Sequence, residues 1–408
     1  MIGLYIDPGT GSMLFSIVIG LITMLYFVGK AAFIKLKFVL SGGKAVANQN
    51  RYPFVIYSEG ERYWGVFKPI LEEFENRNIA VVYYTSSKKD PALEQNYTYI
   101  KGEYIGEGNK AFTRLNFLEA DVCLMTTPGL DVYQLKRSRG VKHYSHIMHS
   151  VNDATSYRLF ALDYFDSVLL SGEYQKAHIR LLEKQRGIKH KDLEVVGCTY
   201  LDVLQAKVKS LPTEEDLLFT VLVAPSWGES GLLVRYGKAL LDPLVETGFQ
   251  ILVRPHPQSL QSEKEVVDQL VNRYKENASL EWDFSQENLQ ALSRADIMIS
   301  DFSGVVFDYT FLFDRPFLYV NAEFDFKPYD AWDIEEEPWK FRVLPEIGVE
   351  LTPDSFASIK EILLATSQDA QLSENRQKAK ETAWQYRGES GKRVVDFLKQ
   401  KQLEISEV

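Results

Sequence analysis

Ser300, Asp301, Ser303 and Gly304 crowd one junction of the chain, in "ISDFSGVVFDY", and Asp308 follows a little over one helical turn further on. The apolar run "DIMIS" stops at Ser300, and a helix-like apolar pattern starts after Gly304. A helix that starts here leaves backbone N–H groups without partners, and such an end attracts anions. In that role Ser303 contacts a phosphate oxygen, Gly304 lets the backbone approach closely, and Asp308 accepts from sugar hydroxyls. The plainer account of the same residues is that Asp301 or Ser303 caps its own helix.

Two further stretches carry chemistry at the end of an apolar run. In "ILVRPHPQS", Arg254 and His256 alternate with Pro255 and Pro257, which stiffen the turn and fix the direction of both side chains. A guanidinium and an imidazole held this way suit a diphosphate. In "VAPSWGESG", Ser226, Trp227 and Gly228 separate a strand from a helix, with Glu229 near the helix start, and an ordinary capped turn would look the same. A fourth stretch, "HYSHIMHSVND", holds three histidines. If it is extended throughout, His143 and His149 share one face and His146 takes the other. Position then favours His149, which comes last, at the mouth of the strand, where a neutral imidazole can take a proton from a hydroxyl.

These stretches need a scaffold that gathers strand ends. From Tyr52 onward, short apolar strands alternate with amphipathic helices, the pattern of parallel sheets built from βαβ units. The charged stretch "LQAKVKSLPTEEDLLF" interrupts the alternation and carries Pro212, which places a boundary near Ser210. The expected organisation is a membrane anchor over 1–48, a first doubly wound domain over 50–210, a second over 211–375, and a C-terminal helical segment over 376–408. Such α/β domains bind ligands at the carboxyl ends of their strands, where the four stretches fall.

The chain is long enough, at 408 residues with 45% hydrophobic side chains, to bury two cores. A formal charge of −10 argues against nucleic acid as a partner. Cys123 and Cys198 both sit in apolar runs and read as core residues of a reducing compartment. No metal-ligand or thiol-redox spacing occurs, and nothing calls for a cofactor.

Residues 11–29 are uncharged and, with Lys30 reaching the far interface, approach the ~20 residues that span a hydrocarbon core. The leader before them has Asp7 and neither Lys nor Arg, unlike a cleaved secretory signal. Lys30, Lys35, Lys37 and Lys44 follow the apolar run, so one spanning helix near 11–30 would have its N-terminus outside and the remaining chain in the cytoplasm.

Taken in order after His149, "APSWGE", "RPHP" and "SDFSGVVFDY" resemble the motifs of the CDP-glycerol glycerophosphotransferases, which prime and polymerise teichoic-acid chains. Arg254, His256, Pro257, Ser300, Asp301, Ser303 and Asp308 match the family's Arg-x-His-Pro and Ser-Asp-Tyr-Ser-Ser-x-x-x-Asp patterns. Met148 and Ser150 stand where the family has Trp and Gly around its first-domain histidine, and "VGCTYLDVL" keeps Gly197 and Asp202 without the Pro-Arg pair between. The resemblance implies a GT-B-like fold and a metal-independent, in-line transfer from a CDP-polyol donor to a lipid-linked glycan or polyol-phosphate acceptor at the inner leaflet. His149 would be the general base. Arg254, His256 and the amides near Ser303 and Gly304 would hold the diphosphate, and Asp308 the ribose. The pattern also admits a GT-B glycosyltransferase or nucleotide-sugar epimerase, whose motif is usually Gly-Gly-x-x-Glu-Glu, or a nucleotide-binding membrane protein whose activity has decayed.

Overall fold

A computed structural model describes residues 24–25, 29, 51–211, 218–285, 287–321 and 324–407. Apart from Met24, Leu25 and Gly29, the expected spanning segment over 11–30 lies outside the described residues. Among the described residues no helix is long and apolar enough to cross a membrane.

Tyr52–Val408 form one compact unit built on two parallel sheets. In the first, β1 (Tyr52–Ser58), β2 (Val81–Thr85), β3 (Ile100–Tyr104), β4 (Ala120–Met125), β5 (Val141–Ile147), β6 (Ser167–Leu170) and β7 (Asp192–Val195) lie in the order β3-β2-β1-β4-β5-β6-β7. The second contains β8 (Thr220–Val223), β9 (Gln250–Val253), β10 (Leu280–Trp282), β11 (Ile297–Ser300), β12 (Phe317–Tyr319) and β13 (Val349–Glu350), in the order β10-β9-β8-β11-β12-β13. Every pairing is parallel. The expected pair of doubly wound sheets is therefore present. Their central strands read as continuous apolar runs because helices cover both faces, as in "VLV", "ILV" and "IMIS". The edge strands β3, "IKGEY", and β13, "VE", escape that reading, since an edge can be polar and still pair on one side.

In both sheets the winding direction reverses between two central strands, β1 and β4 in the first and β8 and β11 in the second. Loops leaving adjacent strands at such a point go to opposite faces and open a crevice. Along the first sheet run α1 (Trp64–Asn76), α2 (Asn109–Leu115), α3 (Tyr174–Arg186) and α4 (Thr199–Val208). Along the second run α5 (Leu232–Glu246), α6 (Ser259–Ser262), α7 (Lys264–Tyr274), α8 (Leu289–Arg294), α9 (Val305–Phe313), α10 (Trp339–Ile347) and α11 (Ile359–Ser367). Cys123 and Cys198 are buried free thiols, as their apolar surroundings imply.

The C-terminal helical segment consists of two helices, α12 (Ala370–Ala383) and α13 (Ser390–Ser406). Between them Tyr386 and Gly388 take left-handed φ values of 51° and 79°, which end a right-handed helix. The break lets α12 pack on α9 and α10 of the second sheet while α13 returns to α1 and β4 of the first. Asp202, on the first turn of α4, secures this return: its carboxylate accepts from Trp384 Nε1 at 2.9 Å, Gly388 N at 2.9 Å, Ser390 N at 3.3 Å and the Ser390 hydroxyl. Gly197 leaves the room, since a Cβ there would stand 2.5 Å from the Gln385 carbonyl oxygen. Asp202→Ala strands the indole N–H and two amides, and should cost roughly 2–4 kcal/mol in urea unfolding. A loss below about 1 kcal/mol would mean that water replaces the carboxylate and the crossover is held by packing alone.

Candidate active site

A cleft of about 1470 Å³ opens between the two sheets, with Arg254, His256, Ser303, Gly304 and Asp308 on one wall and Arg62, Trp64, Lys68 and Tyr200 on the other. Five of the residues singled out from sequence thus converge on one surface. The remaining six, His149, Ser226, Trp227, Gly228, Ser300 and Asp301, are not in the lining.

Ser300 and Asp301 are almost completely enclosed. The Ser300 hydroxyl donates to the Ala224 carbonyl at 2.6 Å, tying the end of β11 to that of β8. The Asp301 carboxylate accepts from three amides: Ser226 N at 3.0 Å, Leu232 N at 3.1 Å and Ser303 N at 3.1 Å. It therefore brackets both loops that diverge at the switch point, and Gly304 and Val305, which follow, line the cleft. Burial raises its pKa, and the amides oppose that shift. Gly228 has φ 94°, in the left-handed region that glycine favours.

Arg254 is tied down as well. Its Nη1 pairs with Asp283 and donates to Ser285 Oγ at 3.0 Å, while Nη2 donates to the Ser285 carbonyl at 2.8 Å. The guanidinium thus braces the turn that presents His256. There, Gln258 N donates to His256 Nδ1 at 3.1 Å, so the neutral ring carries its proton on Nε2 and offers a donor. Burial lowers the His256 pKa, opposed by Glu263, and keeps the ring neutral. The half-exposed Trp227 ring lies 6.4 Å from the imidazole, centroid to centroid.

Asp308 makes no side-chain hydrogen bond among the described residues. Crowding by protein around its place in the cleft wall pushes its carboxyl up to about 7.

His149 lies two residues beyond the end of β5, and the extended geometry that would pair it with His143 does not hold. The strand stops at Ile147, the chain turns, and His149 Nδ1 comes within 3.0 Å of Tyr157 Oη, the hydroxyl that also meets His146 Nε2 at 3.2 Å. His143 instead meets Ser167 Oγ at 2.9 Å. Burial, and then the Arg62 charge, push His149 down to about 4, so its ring is neutral near pH 7. Three residues on, the Asn152 amide touches the start of α9: a Cβ at Gly304 would lie 3.1 Å from its Nδ2. Asp153 accepts from the amides of Trp339 and Lys340, both at 2.9 Å, at the start of α10. The loop after His149 is thus pinned to the second sheet's helices.

Sequence reasoning missed Tyr157, Asn152 and Asp153. "SVNDATSY" has no periodicity, and polar residues in an irregular stretch look like any surface loop; the one available signal was their closeness to His149.

A family model described as CDP-Glycerol:Poly(glycerophosphate) glycerophosphotransferase matches residues 176–400. No curated protein matches the chain in sequence. Among solved structures, the wall teichoic acid polymerase TagF is similar at TM-score 0.55 and 15% identity, over 88% of this chain and 91% of that one. A form of that polymerase soaked with CDPG is similar at TM-score 0.56 and 14% identity, over 93% and 98%. The UDP-GlcNAc 2-epimerase of Methanocaldococcus jannaschii, in complex with UDP-GlcNAc and UDP, gives TM-score 0.56 and 14% identity, over 85% and 99%. At these identities the likeness is one of fold.

The Asp308 carboxyl yields a pH signature. Its folded pKa of about 7 lies above the ordinary value near 4, so between those limits the folded chain holds a proton that the unfolded chain has released. Stability contributed by that proton is complete below about pH 4 and is lost as pH rises to about 7. Wild type should therefore lose stability relative to Asp308→Asn over this interval, and not beyond it, in urea unfolding at stepped pH. Parallel curves would place the carboxyl at its ordinary pKa.

Proposed function

Because the chain belongs to the CDP-glycerol:poly(glycerophosphate) glycerophosphotransferase family, we propose that it transfers glycerol phosphate or ribitol phosphate from a CDP-polyol to a hydroxyl of a teichoic-acid-like or other membrane-linked cell-surface glycan. The observation that carries this reading is the convergence of His256, Ser303, Gly304 and Asp308 on one wall of one cleft.

In this reading the ribose hydroxyls meet Asp308. The diphosphate lies against the amides at the start of α9 and the Nε2–H of His256, with Arg254 fixing the turn and Ser226, Trp227 and Gly228 forming the rim. Ser300 and Asp301 act from behind by holding the loops. The acceptor oxygen bonds to the polyol-phosphate phosphorus while the bond from that phosphorus to the bridging oxygen breaks, and CMP leaves with the electron pair. His149 takes the acceptor's proton at Nε2. Positioning and fixed dipoles carry the reaction, and no metal ion is required of it. A membrane helix near 11–30, followed by Lys30, Lys35, Lys37 and Lys44, would hold the cytoplasmic catalytic part at the leaflet where a lipid-linked acceptor lies.

The fold alone suits a nucleotide-sugar reaction equally well, so the donor decides. Calorimetry with CDP-glycerol, CDP-ribitol and UDP-sugars should show selective binding of a CDP-polyol that weakens in His256→Ala; preference for a UDP-sugar would overturn the proposal. In transfer assays, His149→Ala should lower kcat roughly 10²–10⁴-fold, and His256→Ala roughly 10²–10³-fold, each with a nearly unchanged melting temperature. Chelation by EDTA should leave the rate unaltered, and a rate restored only by added divalent cation would refute the metal-free step.

A further inference from the structure

We propose that Arg62, on the wall opposite His256 and Ser303, supplies the positive charge that compensates the donor's diphosphate as CMP leaves. The proposal rests on the phosphoryl-transfer reading and names the group that balances charge in it.

A diphosphate arrives negatively charged, and more charge gathers on the bridging oxygen as its bond to phosphorus breaks. On the second sheet's side the cations are already balanced. Arg254 pairs with Asp283 and is held to Ser285, and Lys340 is buried beside Asp153 and Asp301. His256 is kept neutral by burial. A charge that answers the phosphates has to come from elsewhere in the cleft.

Arg62, Lys68, Lys207, Lys209 and Lys392 also line it. Lys68 pairs with Glu72 at 2.7 Å, and Lys207 with Glu287 at 3.0 Å. Lys209 follows the last residue of α4, roughly 15 Å along that helix from its start. Lys392 adjoins Gly391, where a Cβ would stand 2.7 Å from the Pro69 carbonyl oxygen in the second turn of α1. Both lysines are thus set back from the strand ends.

Position singles out Arg62. It lies in the turn Glu61–Tyr63, between the end of β1 at Ser58 and the start of α1 at Trp64. The first sheet reverses its winding between β1 and β4, as the second does between β8 and β11, so Arg62 and Ser303 each follow a strand that borders its sheet's crevice. Both residues line the one cleft. The next residue in the chain, Tyr63, has its ring 5.7 Å from that of His149, centroid to centroid, and the Arg62 charge acts on the same imidazole. Arg62 is therefore close both to the residue read as the base and to the surface read as the diphosphate site.

Its tether is weak. The side chain is 71% exposed, Nη2 donates to Glu59 at 3.1 Å, and the guanidinium lies 4.8 Å from the centroid of the Tyr63 ring. Water screens an exposed ion pair of this kind, so exchanging it for a phosphate costs little. The planar fork of a guanidinium matches two phosphate oxygens at once. Arg62 keeps its protons throughout: it donates to phosphate oxygens while the electron pair of the breaking bond passes to CMP.

The test is turnover by the full chain. Arg62→Ala should lower kcat/KM for CDP-polyol transfer by at least roughly tenfold with an unchanged melting temperature, and Arg62→Lys should fall between it and wild type. Millimolar guanidinium chloride should raise the Arg62→Ala rate several-fold, and sodium chloride at the same ionic strength should not. A smaller fall in Arg62→Ala, or a rate on which guanidinium and sodium act alike, overturns the proposal. If wild type turns over no CDP-polyol, calorimetry with CDP and UDP decides, since both carry the diphosphate. A loss of affinity for both of at least roughly tenfold in Arg62→Ala keeps Arg62 at the diphosphate while the proposed transfer fails; unchanged affinity overturns the role of Arg62 as well.

Discussion

A single buried carboxylate organises one wall of the cleft. Asp301 sits at the point where the second sheet reverses its winding, between loops that must leave in opposite directions. Each loop carries amides that would be unpaired, and the carboxylate takes Ser226 N and Leu232 N from one and Ser303 N from the other. Enclosing a charge is costly, and three amide donors are what make it tolerable here. Just beyond those donors, Gly304 and Val305 at the start of α9 line the cleft. His256, Ser303 and Asp308 then take positions set by backbone and not by flexible side chains.

The same device joins the two sheets. Asp153, at the end of the loop that begins with His149, caps the start of α10 through two amides, and Asn152 lies against Gly304. Lys340, buried beside both Asp153 and Asp301, is pushed down to about 8 by burial, against the pull of the two carboxylates. Farther out, Arg186 reaches Asp330 and Asp333 of the second half, each at 2.7 Å, and Asp163 of the first at 2.8 Å. The loop that begins with His149 is thus held by the helices that support the second sheet's side of the cleft.

Electrostatically the site is quieter than its charged residues suggest. Arg254 is neutralised by Asp283, the imidazoles of His149 and His256 are kept neutral by burial, and the Asp308 carboxyl is pushed up to about 7. On this wall the cleft meets directional donors and acceptors: the His256 ring, the Ser303 hydroxyl and the Asp308 carboxyl. Fixed dipoles of this kind need no reorganisation when charge develops on a leaving phosphate, which is how such a surface can serve phosphoryl transfer.

The alternation of apolar runs and amphipathic helices determined the two parallel sheets, because strands covered on both faces must be apolar along their whole length. The strand-end position of "RPHP" and "SDFSGVVFD" determined that His256, Ser303, Gly304 and Asp308 would share a surface, since βα units of one sheet place all such ends on one edge. Polar edge strands β3 and β13 were invisible for the converse reason. Only the tertiary structure decided what each polar residue is for: Asp301 and Ser300 turned inward to hold loops, Arg254 was drawn to Asp283, and Asp202 to a helix break some 180 residues away. It also brought Tyr157 between His146 and His149, because a turn after Ile147 breaks the extended parity on which a sequence reading depends. Periodicity records which face of an element is buried; it carries no record of which distant donor or charge will meet a polar side chain there, and at this site those partners set the chemistry.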